Sequence, residues 1–213
     1  MVARDGEISA ICRIVLIEDD APVRERLGAI IDRWPGGKLI AACGTLAEAL
    51  VVLKDNPIDL LMTDLNLPDG HGAQAIRLLR THQPNAKAMV ISVVADDRNI
   101  IEAIKAGATG YLLKDSDPID IFDAITELLS GRSPISSTIA RTIVRGFGDR
   151  PAKLGSTSPH HATPVSLTPH EMDFLRGIAN GFTYGELAKR LGTSEQTLPV
   201  YAKTIYRKLQ TGN

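Results

Sequence analysis

Five short apolar runs, alternating with amphipathic stretches from residue 11 to about residue 129, constrain this chain more than any other feature. The runs cover 12–17, 39–43, 58–63, 88–94 and 109–113. Each is too short for a helix and nearly continuously apolar. A strand of that kind must be covered on both faces, as in a parallel sheet packed between helices. The intervening stretches place apolar residues at helical spacing. Val23, Leu27, Ile30, Ile31 and Trp34 share one face of 23–34, and 46–53, 73–80, 98–106 and 119–129 repeat the pattern. Thr45 and Asp117 stand where N-caps belong, Pro118 at a first helical position, and Gly107 and Gly131 just past helix ends. Five β/α units predict a doubly wound α/β domain with strand order 2-1-3-4-5, whose ligand crevice lies at the carboxyl ends of the strands.

Two of the runs end in acids. The first leads into Glu18, Asp19 and Asp20, and the third into Asp64. In neighbouring parallel strands both ends reach the same sheet edge, so Glu18, Asp19 and Asp64 converge. Close carboxylates repel one another and cost stability. A hard divalent cation offsets that cost, and Mg²⁺ binds through a few carboxylates plus waters. Such an ion also neutralises phosphate oxygens, which leaves Asp64 as a nucleophile able to form an acyl phosphate. Ser92 closes the fourth strand with a hydroxyl, and Lys114 follows the fifth with an ammonium. Both can hold phosphoryl oxygens. Tyr111 is an aromatic three residues before Lys114 on the same strand. Any one acid at a strand end is more often a helix cap, as Asp20 before Ala21-Pro22 is expected to be. The conjunction of acids, hydroxyl and lysine on four strand ends is what points to a site.

Composition narrows the class. With 44% hydrophobic but only 4% aromatic residues, the core must be built from Ala, Val, Ile and Leu. A formal net charge of −1 supplies no global field toward nucleic acid or membrane, so any DNA-binding charge must be local. Cys12 and Cys43 fall at opposite ends of adjacent parallel strands, which argues against a disulfide and for a reducing compartment. The N-terminal residues carry Arg4, Asp5 and Glu7 without an apolar run, unlike a signal peptide. No stretch approaches the roughly 20 apolar residues of a membrane helix. A soluble, cytoplasmic protein with no membrane partner is expected.

Beyond residue 131 the organisation changes. Residues 132–166 read as a linker, with one helix at 134–147 built on Ile135, Ile139, Ile143 and Val144. Pro151, Gly155, Pro159 and Pro164 among Ser, Thr and His mark the flexible part. The adjacent His160 and His161 lack further ligands at metal-binding spacing. From Thr168-Pro169 three helices follow, about 169–180, 184–191 and 194–209, the last capped by Ser194. Two helices joined by a short turn containing Gly192, the second longer and basic, form a helix-turn-helix. On the last helix Leu198, Ala202, Ile205 and Leu209 make a packing face, while Gln196, Val200, Lys203 and Arg207 make the opposite face, suited to a major groove. Lys203 and Val200 are the candidates for base edges. Thr183, Thr197 and Lys208 are candidates for phosphate contacts, and Thr204 joins the DNA-facing set.

Two family resemblances rest on these residues. Residues 12–131 resemble a response-regulator receiver domain through Ile17-Glu18-Asp19-Asp20, the stretch Asp64-Leu65-Asn66-Leu67-Pro68-Asp69-Gly70-His71-Gly72, Ile91-Ser92 and Gly107-Ala108-Thr109-Gly110-Tyr111-Leu112-Leu113-Lys114. Residues 167–209 resemble the LuxR-type helix-turn-helix of NarL/FixJ regulators through Leu167-Thr168-Pro169-His170-Glu171, Thr183-Tyr184-Gly185-Glu186-Leu187-Ala188, Leu191-Gly192, Ser194-Glu195-Gln196-Thr197 and Arg207-Lys208-Leu209. The resemblance implies a flavodoxin-like receiver at 11–131 and a smaller all-α DNA-binding domain at 167–213. It implies that Asp64 takes a phosphoryl group from the phosphohistidine of a sensor histidine kinase. Asp19 and Asp64 would bind Mg²⁺ directly and Glu18 through water, with the Asn66 carbonyl as a further ligand. Ser92 would move toward the phosphate and Tyr111 turn inward. Double-stranded DNA and a second copy of the chain, in a homodimer on phosphorylation, are the implied partners. The sequence departs from the LuxR-type pattern at two places: Pro199 stands where a DNA-touching lysine is common, and no fourth helix follows the third.

Phosphorylation-controlled transcription is therefore the expected function, and the chain is not expected to be an enzyme beyond its own phosphorylation and dephosphorylation. One alternative is an output domain that binds protein instead of DNA, suggested by Pro199. Another is a phosphohydrolase, but such enzymes commonly carry a general acid two residues after the nucleophile, where this chain has Asn66.

Overall fold

A computed structural model of the chain describes residues 11–92, 97–114, 117–131, 135–148 and 167–211. Five strands, β1 (Cys12–Ile17), β2 (Gly37–Cys43), β3 (Leu60–Thr63), β4 (Lys87–Ser92) and β5 (Gly110–Leu113), form one parallel sheet in the order β2-β1-β3-β4-β5. This is the expected doubly wound order. Helices α1 (Ala21–Arg33), α2 (Leu46–Asp55), α3 (Ala73–His82), α4 (Asp97–Ala106) and α5 (Pro118–Leu129) connect and follow them. One sheet face packs Ile14, Leu16 and Met62 against Leu27 and Ile31 of α1 and Ile121 and Ile125 of α5. The other packs Val15, Leu61 and Val90 against Ala49 and Leu53 of α2, Ile76 and Leu79 of α3 and Ala103 of α4. Alternate residues of each strand thus enter opposite cores, which is why the strands are apolar throughout.

Local signals hold with few exceptions. Asp20 caps α1, its carboxylate accepting the Val23 N–H at 3.0 Å, and Thr45 caps α2, its hydroxyl accepting the Glu48 N–H at 3.2 Å. Asp117 occupies the N-cap of α5 but makes no side-chain capping bond, so Pro118 alone marks that start. Gly107 follows α4 with φ 118° and Gly131 follows α5 with φ 78°, left-handed values that cost a residue with a side chain. Cys12 and Cys43 are both buried free thiols. The sequence pattern missed a two-residue antiparallel hairpin that pairs Asn66 with His71 and Leu67 with Gly70 just past β3.

The segment read as a linker helix has a larger role. Helix α6 (Ser137–Gly148) buries Ile139, Ala140 and Ile143. They join Ile100 and Ile104 of α4 and Phe174, Leu175 and Ile178 of the next helix in one apolar cluster. The histidines His160 and His161 and the Pro-rich part of the predicted linker lie outside the described residues.

The C-terminal helices are α7 (Pro169–Ala179), α8 (Tyr184–Leu191) and α9 (Leu198–Thr211). Thr168 with Glu171 and Thr183 with Glu186 form reciprocal capping boxes. Helix α9 starts at Leu198, later than the predicted residue 194. Residues 194–197 form a separate turn, in which the Thr197 N–H donates to the Ser194 carbonyl at 3.0 Å. Pro199 therefore falls in the first helical turn, where no intrahelical N–H is required. Leu198, Ala202, Ile205 and Leu209 are all buried, as the spacing predicts.

Glu171 ties the start of α7 to the end of α9. Its Oε2 accepts from the Thr168 N–H and from Lys208 Nζ, each at 2.7 Å. Burial pushes its carboxyl up, but the Lys208 and Thr168 hydrogen bonds outweigh that and hold it below the usual carboxylate range. A depressed folded-state value gives stability that is present above the unfolded value of about 4.3 and is lost as pH falls through the folded one. We expect Glu171→Ala to cost about 1–3 kcal/mol at neutral pH, read by urea denaturation. The gap from the parent should narrow as pH drops below about 4.3; a gap independent of pH would exclude the charged pair as its cause.

Candidate functional site

The strand register brings the acids together. Ile17 of β1 pairs with Cys43 of β2 on one side and Thr63 of β3 on the other. The Glu18 N–H donates to the Cys43 carbonyl at 3.0 Å, and the Asp64 N–H to the Ile17 carbonyl at 2.9 Å. Residues 18 and 64 therefore leave the sheet side by side. Carboxylate oxygens of Glu18, Asp19 and Asp64 lie within 4.8 Å of one another. Glu18 is fully buried, Asp64 is 6% exposed, and Asp19 is exposed at the rim.

Lys114 holds this cluster. Its Nζ donates to Glu18 Oε1 and to Asp64 Oδ2, each at 2.7 Å. Burial disfavours the ammonium, but the hydrogen bonds and charges of Asp64 and Glu18 outweigh that and raise its affinity for the proton. Burial also pushes the Glu18 carboxyl up, an effect that Lys114 only partly offsets. Asp64 Oδ1 accepts the N–H groups of Leu65 at 2.6 Å and Asn66 at 3.3 Å, which fixes the carboxylate on the turn after β3. Ser92 is buried at the end of β4, the strand between β3 and β5, and its carbonyl accepts the Lys114 N–H at 2.8 Å. Tyr111 on β5 packs against both the receiver core and the cluster around α6.

The donor set fits a divalent cation. Glu18 Oε2 is buried and has no hydrogen-bond partner among the described residues. An orphan carboxylate oxygen beside two further carboxylates is what a hard ion takes. Asn66 is exposed in the hairpin, two residues after Asp64.

Several supporting residues escaped the sequence reading. Arg24 Nη1 donates to the Glu18 carbonyl at 2.6 Å and the Asp19 carbonyl at 3.1 Å, fixing the acidic loop. Arg26 Nη2 donates to the Lys114 carbonyl. Asp69 accepts the N–H groups of Leu46 and Ala47, each at 2.8 Å, and so ties the hairpin to the start of α2. Arg26 and Asp69 have no local signal, because each depends on a partner far along the chain, whereas Arg24 folds back on the loop just before its own helix.

At the other end of the molecule the expected DNA-facing set is partly revised. Val200, Lys203 and Arg207 are exposed on α9, and Thr204 is half-buried beside them. Gln196 and Thr197 lie in the turn before the helix, because α9 starts late. The Thr197 hydroxyl is bonded to that of Ser194 at 2.8 Å. Thr183 caps α8, and its hydroxyl donates to Glu186 Oε2 at 2.9 Å. Lys208 does not project freely as a phosphate contact, since its ammonium is engaged by Glu171. Val200, Lys203, Thr204 and Arg207 also line a cavity whose other wall is the receiver.

Fold and site together define an α/β switch domain with an acid–lysine pocket, joined to a helical reading module. A family model of the response regulator receiver domain matches residues 14–126, and one of the luxR family of bacterial regulatory proteins matches residues 165–213. The nitrate/nitrite response regulator NarP of Escherichia coli (strain K12) is 30% identical over 196 residues, covering 92% of this chain and 87% of NarP. The DNA-binding transcriptional activator DevR/DosR of Mycobacterium tuberculosis is 26% identical over 197 residues, covering 92% and 88%. A LuxR-family two-component response regulator from Aurantimonas sp. SI85-9A1 matches in structure with a TM-score of 0.58 and 31% identity, over 64% of this chain and 98% of its own. The chain belongs to the response regulators that join a receiver domain to a luxR-type DNA-binding domain. Among the described residues, no helix is long and apolar enough to cross a membrane.

Gly72 shows how tightly the pocket is built. A Cβ there would lie 2.0 Å from the Asp64 carbonyl oxygen and 2.7 Å from Thr63 Oγ1. Backbone cannot yield as a flexible side chain does, so we expect Gly72→Ala to destabilise the receiver by about 1–3 kcal/mol. Urea denaturation measures this, and an unchanged midpoint would refute the close approach.

Proposed function

We propose that this chain is a phosphorylation-controlled transcription regulator in which Asp64 accepts a phosphoryl group and the DNA-reading helix α9 is released from the receiver. The observation that carries this reading is the buried meeting of Glu18, Asp64 and Lys114 at 2.7 Å contacts on one sheet edge. The Asp64 carboxylate attacks the phosphorus of a phosphohistidine on a sensor histidine kinase. The new O–P bond forms as the N–P bond breaks, and the imidazole nitrogen leaves with the electron pair. Glu18, Asp19, Asp64 and the Asn66 carbonyl are the groups that would hold Mg²⁺. When bound, that ion supplies neutralisation of phosphoryl charge.

Esterification removes the charge of the Asp64 carboxylate, to which Lys114 is bonded, and replaces it with a group carrying about −1.5 to −2. Lys114 and Ser92 then gain phosphoryl oxygens as partners that exist only in the phosphorylated state. Differential contacts of that kind bias a two-state equilibrium. Tyr111 gives the bias a route, because it touches the receiver core and the interdomain cluster together.

The DNA-binding part rests on α9. Its candidate reading residues Val200, Lys203, Thr204 and Arg207 face a cavity closed on the far side by Arg80, Thr109 and Leu128 of the receiver. The Gln210 amide donates to the Ala108 carbonyl at 3.2 Å and clamps the helix there. A duplex must admit α9 into a major groove about 12 Å wide, so it needs this face clear on both flanks. The arrangement is a closed, DNA-incompetent form that phosphorylation would open. A protein-binding output domain draws no support from Pro199, which lies in the first turn of α9. The boundaries at 11–131 and 167–213 follow from the same reading, with α6 as the packed connector, and a homodimer on DNA is part of the proposal.

We expect Asp64→Asn to abolish phosphate incorporation from acetyl phosphate with Mg²⁺, measured by mass spectrometry. Persistent labelling of that variant would move the acceptor elsewhere. For the phosphorylated full chain, Lys203→Ala should cost about 1–3 kcal/mol of binding to a promoter fragment and relax its sequence preference. Fluorescence anisotropy tests this, and equal affinity and selectivity would remove Lys203 from the reading face.

A further inference from the structure

The cavity between the receiver and α9 carries a charge pattern that the proposed switch does not use. Its volume is about 390 Å³, within the roughly 300–1,000 Å³ of small-molecule sites. Arg80 and Lys87 line it from the receiver and Lys203 and Arg207 from α9, and no carboxylate is among the described residues that line it. None of the four forms an ion pair among the described residues. The larger cavity beside α4 and α6, about 560 Å³, differs in this respect, because its Arg77 is paired with Glu102 at 3.1 Å. Like charges from two domains facing one another oppose closure. A bound anion would turn that repulsion into a bridge. The remaining lining adds apolar surface from Leu128 and Val200. It also includes Tyr206, a buried residue whose hydroxyl has no hydrogen-bond partner among the described residues.

We propose that this cavity binds a phosphate ester: the phosphate group bridges Arg80 and Lys87 to Lys203 and Arg207, and an apolar or aromatic body lies on Leu128, Val200 and Tyr206. Phosphate is favoured over a carboxylate because it brings about −1.5 to −2 charge and three acceptor oxygens to four cations, where a carboxylate brings one charge and two oxygens. The occupied site holds receiver and α9 together and occupies the cations that α9 would present to DNA. The ligand therefore acts as a co-repressor of DNA binding that never touches Asp64. This consequence for DNA rests on the reading of α9 given above; the binding itself does not.

The test uses the unphosphorylated full chain at constant ionic strength, with AMP, inorganic phosphate and adenosine as probes in calorimetry. AMP is expected to bind at one site per chain and adenosine not to bind. Inorganic phosphate binding as tightly as AMP would identify free phosphate as the ligand, and weaker binding would identify an ester. The double variant Arg80→Ala/Lys87→Ala should lose at least tenfold in AMP affinity while keeping its circular dichroism and its phosphorylation by acetyl phosphate. With both proteins phosphorylated by acetyl phosphate, AMP should weaken promoter binding by the parent at least threefold and leave the double variant unaffected. Absence of saturable binding, or equal AMP affinity in parent and double variant, would overturn the site. Binding that is lost in the double variant yet leaves promoter affinity unmoved would keep the site and reject α9 as the reading helix.

Discussion

One ammonium shared by two buried carboxylates organises this molecule. Lys114 meets Glu18 and Asp64 at 2.7 Å where almost no solvent reaches, since the Glu18 side chain is fully enclosed. Burying such charges is costly unless each is paired and hydrogen-bonded. The structure supplies those partners from the backbone: two N–H groups on Asp64 Oδ1, the Asp20 N–H on Glu18 Oε1, and Arg24 and Arg26 on the carbonyls of the flanking loops. The arrangement is still short of positive charge, because Glu18, Asp19 and Asp64 outnumber Lys114. A pocket left with a deficit of this kind is ready for a divalent cation and for a reaction that brings in phosphate. Full compensation would have made the site more stable and chemically inert.

That local imbalance reaches the other end of the chain through packing. β5 carries Lys114 at its end and Tyr111 within it, and Tyr111 borders both the receiver core and the cluster of α4, α6 and α7. Helix α6 joins the two domains, because its buried face packs against both. Ile139 and Ile143 pack with Ile100 and Ile104 on the receiver side and with Phe174 and Leu175 on the other. Close-packed interiors transmit displacement because they have little void to absorb it. In the proposed switch, a change at the end of β5 would act on an interface that includes α9, without any need for a dedicated wire of residues.

The sequence made the receiver readable because its two periodicities are clean. Apolar runs closed by Glu18, Asp64, Ser92 and Lys114 specify both the parallel sheet and the edge at which chemistry gathers, and the count of five β/α units favours the compact strand order. What remained hidden has common physical causes. Arg26 and Asp69 act through backbone partners distant in sequence, and Arg24 through carbonyls of the preceding loop that no side-chain pattern marks, so composition and spacing carry no trace of them. The hairpin after β3 is two residues per strand, too short for a period of two to register. The start of α9 was misread because Ser194-Glu195-Gln196-Thr197 looks like a cap and first turn, whereas the chain spends those residues on a separate turn. That shift moved Gln196 off the helical face and made Pro199 harmless. Lys208 looked like a solvated cation because its partner, Glu171, lies at the far end of the domain.

The placement of α9 resolves a tension in the charge pattern. A reading helix must keep cations on its outer face, and a closed regulator must cover that face. Pairing those cations with receiver carboxylates would satisfy them in the closed form but would deepen it, since a desolvated pair costs several kcal/mol to break once formed. The receiver instead presents Arg80 and Lys87 to Lys203 and Arg207, so closure rests on the apolar cluster and the Gln210–Ala108 bond while electrostatics oppose it. The two tendencies work against each other at one interface. On the proposed reading such an interface stays near balance, and a modest change of charge, whether a phosphoryl group at Asp64 or an anion in the cavity, would be enough to tip it.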